Sequence, residues 1–270
     1  MFASLVVVYL TIHQGGALLF RHGDLEFTFD SGAAVSRATT PCVGFAAFYS
    51  DVEHEVTEVH SGHRVTLTYN LYLEDSPKGD IVSFAGAYES ALKAAFEKLL
   101  ADPSYFEDGG NIGFGLRHQY PVQIERRLGG LQHLQTSLKS SDAILMKVCK
   151  ELSLKAQLRL LYHVDDGGVV LCNKLIRKDE KLEGDLLHEL CRRGAEYVEA
   201  PEGWVSDDDD DLDVINIDWA TDIKPVDVKE VETVFIAYGN EPSLGFAYST
   251  MCLIVEVDTA KVRLAGAAPT

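Results

Sequence analysis

The chain has 270 residues, of which 46% are hydrophobic and 24% charged, an ordinary composition for a folded globular protein that excludes disorder of the whole chain. Its 24 basic and 42 acidic residues give a formal charge of −18, which repels phosphate backbones and anionic membrane surfaces, so we expect neither a nucleic acid nor a membrane as partner. The 5 cysteines are widely spaced and form no CxxC pair, which predicts free thiols in an intracellular protein, cytoplasmic or nuclear.

The first part of the chain, up to about residue 73, predicts a series of short strands. The run Ser4–Leu10 is continuously apolar, as in a strand that is buried on both faces. Strands are also predicted at Ala17–Arg21 and Leu25–Phe29, joined by a hairpin turn at Gly23, and at Gly44–Tyr49. Many short strands at close spacing are typical of a sandwich, a barrel or a jelly roll. Because the first strand begins almost at the first residue, we expect an upstream strand of this core to be missing.

Beyond a turn-rich break near residue 76 the pattern changes to mixed helices and strands. Apolar spacing predicts helices over Tyr88–Leu100, Asp142–Leu152 (with Ser141 as its N-cap) and Leu182–Arg193. Apolar runs predict strands over Ile112–Leu116, Leu158–Val164, Val169–Cys172, Val231–Tyr238 and Met251–Val257. The aspartate run in residues 206–213 completes no calcium-loop pattern and predicts a solvated acidic loop.

One stretch carries residue types that suit metal and anion binding. His54 lies among carboxylates on a predicted strand, and Arg64 begins a regular strand ten residues later, followed by Thr66. Two antiparallel strands joined by a turn at Ser61-Gly62 place His54 and Arg64 on the same face. A neutral imidazole is a good ligand for Fe(II), and a guanidinium that faces inward binds a carboxylate with two hydrogen bonds. The pattern suits a metal-chelating dicarboxylate whose far end is held by Arg64 and Thr66.

These residues resemble a motif of the 2-oxoglutarate- and Fe(II)-dependent dioxygenases, in particular the prolyl 4-hydroxylase-like group. In that family iron is held by an HxD pair and a distal His, and an RxS or RxT about ten positions later binds the 2-oxoglutarate carboxylate. The resemblance implies that His54 is the distal metal ligand and that Arg64 and Thr66 bind the cosubstrate. The stretch His13–Gly23, with its Gly15-Gly16 pair, is similar to the family's glycine-containing strand.

The resemblance implies a fold and a division of the chain. We expect a β-dominated α+β protein, in which residues 1–75 form a double-stranded β-helix (jelly-roll) core that lacks an N-terminal strand. Residues 76–270 form a mixed α/β C-terminal extension that includes the acidic loop.

The sequence departs from the family at the HxD pair. Family order places that pair before the strand that begins this chain, so we expect a chain truncated at its N-terminus. An HxD string is present at His22-Gly23-Asp24, but it falls in a predicted hairpin turn. The alternative to a pair of metal ligands there is an ordinary solvent-exposed turn.

Two functions of different classes follow. The resemblance implies an Fe(II)- and 2-oxoglutarate-dependent hydroxylase, inactive as given if the HxD pair is missing. The alternative is a non-catalytic binding or scaffold protein on the same fold, with a cupin-like protein that uses another metal in third place. The substrate, a protein or a small molecule, is not indicated by the residues. Nor do they assign a catalytic side chain apart from the metal and cosubstrate ligands.

Overall fold

The computed structural model describes residues 2–37, 40–72, 86–123, 130–163, 168–174, 194–199, 214–223, 225–227, 246–249 and 251–265. The chain divides into two compact units, Met1–Ile81 and Val82–Thr270. Strands outnumber helices among the described residues, so the expectation of a β-dominated α+β protein is confirmed. Several predicted features lie outside the described residues: the boundary at residue 75, the helix Leu182–Arg193, the acidic loop 206–213 and the strand Val231–Tyr238.

The first unit is built from short antiparallel strands. They are β1 (Ala3–Val8), β2 (His13–Gly15), β3 (Leu18–His22), β4 (Leu25–Phe29), β5 (Gly44–Tyr49), β6 (Glu53–Val56), β7 (Val59–Gly62) and β8 (Thr66–Leu71), with a short helix α1 (Ser31–Ser36) after β4. The hairpin between β3 and β4 turns at Gly23, which adopts a φ of 58°, as the sequence predicts.

The strands of this unit form two layers. One sheet has the order β5-β1-β8, with β1 in the centre. In the other layer β3 lies between β4 and β6. The strands next to these in the chain, β2 before β3 and β7 after β6, also pair with each other. The chain passes from β1 to the second layer, returns to the first at β5, crosses again at β6 and returns at β8.

The two layers pack against each other through a small apolar core. Its buried members are Val6, Val8 and Leu18, and Phe20, Phe29, Ala46 and Phe48 pack around them. Because β1 and β5 belong to one sheet and β3 and β4 to the other, this cluster defines the inner face of each sheet. A fully buried Val or Leu side chain contributes about 1.5–3 kcal/mol of transfer free energy, so the cluster holds the two layers together.

The second unit is larger and contains a mixed sheet. Its helices are α2 (Gly86–Ala101), a 3-10 helix (Gly130–Thr136), α3 (Ser140–Glu151) and α4 (Ala260–Ala265). Its described strands are β9 (Gly110–Gly115), β10 (Tyr120–Gln123), β11 (Lys155–His163), β12 (Val169–Cys172), β13 (Glu196–Glu199), β14 (Ile217–Thr221), β15 (Val226–Asp227), β16 (Phe246–Ser249) and β17 (Met251–Val257). The main sheet has the order β13-β12-β11-β17-β9-β14, and only the β9–β14 and β11–β15 pairs are parallel.

Apolar side chains cover both faces of this sheet. On one face α2 and α3 contribute Phe96, Leu145 and Val148 to a large cluster that includes Leu160 and Leu253 of the sheet. On the other face a smaller cluster includes Leu161, Leu171 and Cys252. No helix among the described residues is long and apolar enough to cross a membrane.

The N-cap prediction for α3 is wrong. The helix begins at Ser140 and its N-cap is Lys139, which makes no side-chain capping hydrogen bond. Ser141 lies inside the first turn, where its hydroxyl is 3.4 Å from Oδ1 of Asp142. Asp142 itself accepts hydrogen bonds from the backbone N–H groups of Arg117 and His118, so a tertiary contact fixes the start of the helix.

Candidate functional site

The side chain of Arg64 lies across the backbone of Gly16. A Cβ atom at residue 16 would be 2.7 Å from Cδ of Arg64 and 2.9 Å from Cγ2 of Val59, closer than real Cβ contacts allow. Gly16 also has a φ of 70°, in the left-handed region that favours glycine. The backbone N–H of Gly16 donates to the carbonyl of Glu58 at 2.9 Å, which holds this point of the second layer in place. Gly16 therefore provides the space that the Arg64 side chain occupies.

Two nitrogen atoms of the Arg64 guanidinium are buried away from every described hydrogen-bond acceptor. Its Nε and Nη2 atoms are shielded from solvent, and no described residue gives them a hydrogen-bond partner. Burial lowers the pKa of the Arg64 guanidinium from its usual value, because desolvation disfavours the charged form. Arginine stays charged in proteins, so the site has two buried N–H donors and a positive charge available to an anion.

Thr66 lies on the inner face of the first sheet. Thr66 is directly opposite Val8 in the β1–β8 register, and opposite residues of an antiparallel pair point to the same face. Val8 is fully buried between the layers, so the Thr66 hydroxyl faces inward as well. Arg64 precedes Thr66 by two residues, which is the side-chain period of a strand. Arg64 lies outside β8, whose register begins at Thr66, so the shared face of the pair stays a prediction.

His54 lies on the inner face of the second layer. It is opposite Phe20 in the β3–β6 register, and its ring packs on Phe48 with 4.5 Å between ring centroids. Nδ1 is 3.0 Å from the carbonyl of Val52, and since a carbonyl only accepts, Nδ1 carries the proton. In the neutral ring Nε2 therefore keeps its lone pair, which is the form that binds a metal. The rest of the side chain is exposed, so this nitrogen is accessible.

The register also fixes how far His54 is from Arg64. Phe20 is opposite His54 in the β3–β6 pair, and Arg64 lies against Gly16. Gly16 comes four residues before Phe20 in the chain. Four strand residues span at most about 13 Å at 3.3 Å per residue. An arginine side chain, an imidazole and a five-carbon dicarboxylate together cover that distance. The prediction of two adjacent strands joined by a turn at Ser61-Gly62 is wrong: these two residues lie in β7, which pairs with β2, and β6 and β8 belong to different sheets.

His22 and Asp24, the remaining HxD string, do not lie together. His22 ends β3, whereas Asp24 is in the turn that follows and is exposed. His22 instead lies close to the carboxylate of Asp51, whose Oδ2 is 3.5 Å from Nε2 of His22. The Asp51 side chain is only 2% exposed. Sequence reasoning did not single out Asp51, because its pairing with a residue 29 positions earlier depends on the β3–β6 register.

Among the described residues, His60 and His63 belong to no cluster of possible metal ligands. Both side chains are exposed. In the second unit the backbone N–H of His118 donates to the buried Asp142, which also accepts from the Tyr120 hydroxyl at 2.8 Å. This network is structural: each of these donors satisfies the same buried carboxylate.

Comparisons of the chain with protein-family models, with curated proteins and with solved structures gave no match. The candidate site therefore stands on its own geometry: a buried guanidinium, a threonine and a histidine on the inner faces of two packed sheets.

Proposed function

We propose that residues 1–75 form the core of an Fe(II)- and 2-oxoglutarate-dependent dioxygenase of the prolyl 4-hydroxylase-like group. The path of the chain supports this proposal. It alternates between two packed antiparallel sheets, as a double-stranded β-helix does, with the central strand β1 flanked by β5 and β8. His54 and Arg64 then lie at the start of β6 and just before β8, each on an inner face.

The observation that carries the proposal is the unpaired Arg64 guanidinium. A buried charge without a partner is costly, and a carboxylate that accepts from both of its free N–H groups removes that cost. The Thr66 hydroxyl faces the same space and adds a third hydrogen bond. A dicarboxylate bound there extends toward His54, which suits 2-oxoglutarate, whose other end chelates a metal.

The metal would be held by His54 through Nε2. Ferrous iron bound there supplies the activation of dioxygen that drives hydroxylation of a C–H bond, with succinate and carbon dioxide as co-products. The protein's own contribution is to orient the cosubstrate through Arg64 and Thr66 and to keep water from its buried end. Phe48 packs on the His54 ring and limits its rotation, which favours one direction for the Nε2 lone pair.

A second candidate function is a binding or scaffold protein on the same fold. The observation that favours it is the exposed position of Asp24 in the β3–β4 turn, which keeps it apart from His22 on the strand. Such a protein still binds a dicarboxylate at Arg64 but releases no succinate.

Binding of 2-oxoglutarate to the full chain tests the proposal. Isothermal titration in the presence of Mn(II), under nitrogen, is expected to show binding that Arg64→Ala weakens at least 100-fold and Thr66→Val about 3- to 10-fold. Arg21→Ala is the matched control, because Arg21 is an exposed arginine that pairs with Glu26 and Glu55 on the outer surface. Equal affinities of wild type and Arg64→Ala would contradict the proposal.

Succinate production separates the two candidate functions. With Fe(II), ascorbate and oxygen, the dioxygenase is expected to convert 2-oxoglutarate slowly to succinate even without its substrate, and Arg64→Ala should abolish this reaction. A binding protein gives no succinate in either form while retaining Arg64-dependent affinity.

A further inference from the structure

The outer face of the β5-β1-β8 sheet carries apolar side chains on all three strands. Val6 and Val8 of β1 point into the core, so Val7 between them points outward. The register places Phe45 of β5 on one side of Val7 and Leu67 of β8 on the other. Because opposite residues of an antiparallel pair point to the same face, these three side chains form one apolar row across the outer surface.

Further rows of the same kind lie on either side of this one. Towards the start of β1, two more rows are apolar on all three strands: Ala47, Leu5 and Tyr69, then Tyr49, Ala3 and Leu71. In the other direction the backbone N–H of Tyr9 donates to the carbonyl of Val65 at 3.0 Å, which continues the β1–β8 pairing by one apolar pair. None of the described residues in these rows is charged.

The alternation of β8 supports the importance of this outer face. Its inward positions are Thr66, Thr68 and Asn70, whereas Leu67 and Tyr69 between them point outward. In an antiparallel sheet with one face in water, the usual arrangement is the reverse, with apolar residues inward and polar residues outward. The pattern of β8 therefore indicates that its outer face is covered in the assembled protein.

The exposed apolar area is large enough for a stable protein contact. Phe45 is 68% exposed, Tyr69 47%, Val65 46% and Leu67 41%. At these exposures the face presents roughly 600–800 Å² of accessible surface, given the 150–250 Å² that one aromatic side chain can bury. The largest apolar patch of a typical monomer is about 300–600 Å², and a standard interface buries about 800 Å² of each partner.

We propose that this outer face of the β5-β1-β8 sheet is the contact between two copies of the chain, packed sheet on sheet about a two-fold axis. A second copy supplies a surface of the same area and the same lack of charge, as a two-fold contact requires. Each copy carries a formal charge of −18, so two copies repel each other wherever charged surfaces meet and associate best through an uncharged face. Two sheets pack face to face at about 10 Å, which buries the side chains of both outer faces. The proposal goes beyond the proposed function and does not depend on it.

Sedimentation velocity of the full chain between about 1 and 100 μM tests the contact. We expect a dimer of twice 29.7 kDa that dissociates on dilution. Phe45→Glu and Tyr69→Glu should each raise the dissociation constant at least 100-fold, because each buries an unpaired charge in the contact. Leu25→Glu is the matched control, since Leu25 is 69% exposed on β4 of the other layer, and its dissociation constant should equal that of the wild type.

Hydroxyl-radical labelling of the unaltered chain gives a second measurement that does not depend on the folding of a variant. Labelling of Phe45 and Tyr69 is expected to fall several-fold between the dilute and the concentrated sample. Labelling of Phe27, which is 64% exposed on the other layer, should stay constant. Added sodium chloride should strengthen the dimer, because it screens the repulsion between two negatively charged copies.

Four outcomes would overturn the proposal. They are a wild type that is monomeric at every concentration, assemblies larger than two copies, equal dissociation constants for wild type and Phe45→Glu, and labelling of Phe45 and Tyr69 that does not change with concentration. A monomer in which both residues are always protected would show that another segment of the same chain covers the face.

Discussion

Cδ of Arg64 would lie 2.7 Å from a Cβ atom placed on Gly16, so the arginine occupies the space that any other residue at position 16 would fill. The contact joins the segment between β7 and β8 to the glycine between β2 and β3, and therefore connects the two layers of the first unit. It also explains why the guanidinium is buried at a point where no described carboxylate accompanies it. The stability and the anion affinity of Gly16 and Arg64 variants therefore depend on this contact.

Replacing Gly16 with alanine is expected to impair anion binding beyond its effect on the backbone. The variant forces a left-handed φ on alanine, which costs about 1–2 kcal/mol, and also pushes the Arg64 side chain away. Gly23→Ala is the matched control, since Gly23 has a φ of 58° but no atom within 4 Å of the added Cβ. We expect both variants to lose similar stability in thermal unfolding, and only Gly16→Ala to lose at least 10-fold in 2-oxoglutarate affinity. Equal affinities would show that Arg64 does not need this space.

Replacing Arg64 with methionine is expected to leave the ligand-free protein as stable as the wild type or to stabilise it by up to about 1 kcal/mol. The reason is that the substitution removes buried N–H donors that have no described acceptor while keeping the aliphatic contacts. Hydrogen exchange of residues 2–72 measures the local stability. Arg21→Met removes an arginine with three carboxylate partners and should lower protection slightly. A marked loss of protection in Arg64→Met would mean that the guanidinium has a partner in the free protein.

Replacing Asp142 with alanine is expected to destabilise the second unit by about 2–4 kcal/mol. The buried carboxylate accepts from the backbone of Arg117 and His118 and from the Tyr120 hydroxyl, and its removal leaves these donors unsatisfied. Urea unfolding followed by tryptophan fluorescence reports on this unit, because both tryptophans of the chain lie after residue 82. Asp102→Ala is the control, because Asp102 accepts hydrogen bonds only from the nearby Ser104, from its backbone N–H and its hydroxyl, among the described residues. This substitution should shift the urea midpoint much less. Similar shifts for the two variants would contradict the structural role of the network.

Among the described cysteines, Cys42 is expected to react first with a thiol reagent such as iodoacetamide. It is exposed, whereas Cys149, Cys172 and Cys252 are buried, and burial raises the pKa of both Cys149 and Cys252 to about 12. Because the thiolate is the reactive form, these two thiols stay protonated and protected at pH 8. Peptide mass spectrometry after brief labelling gives the order, and denaturation in urea should make all four described cysteines reactive. Early labelling of Cys252 in the folded chain would show that β17 opens.

Local sequence patterns predicted the bounds of several strands in which apolar residues predominate. Gly44–Tyr49, Val169–Cys172 and Met251–Val257 have the predicted bounds, since each is a short apolar run with polar or turn residues at its ends. The Gly23 hairpin was also predicted, because its glycine supplies the positive φ of a tight turn. By contrast, Ser141 does not cap α3, because a buried contact of Asp142 with a distant backbone segment determines where that helix starts.

For the candidate site, the sequence indicated residues but not their neighbours. Arg64, Thr66 and His54 followed from their spacing in the sequence, although the two strands expected to carry them belong to different sheets. The contact of Arg64 with Gly16 and the proximity of Asp51 to His22 depend on pairing between segments tens of residues apart. A single sequence contains no signal for such register, since a strand of alternating residues fits several partners equally well.

The main sheet of the second unit closes by joining the two ends of its sequence. β9 begins at Gly110 and pairs with β17, which ends at Val257, and β11 pairs with the other edge of β17. A ribosome therefore has to release almost the whole chain before the central strand of this sheet is present. In the first unit every strand pair is complete by residue 71. We infer that during synthesis the first unit, with His54, Arg64 and Thr66, can fold before the last strand of the second unit has been made.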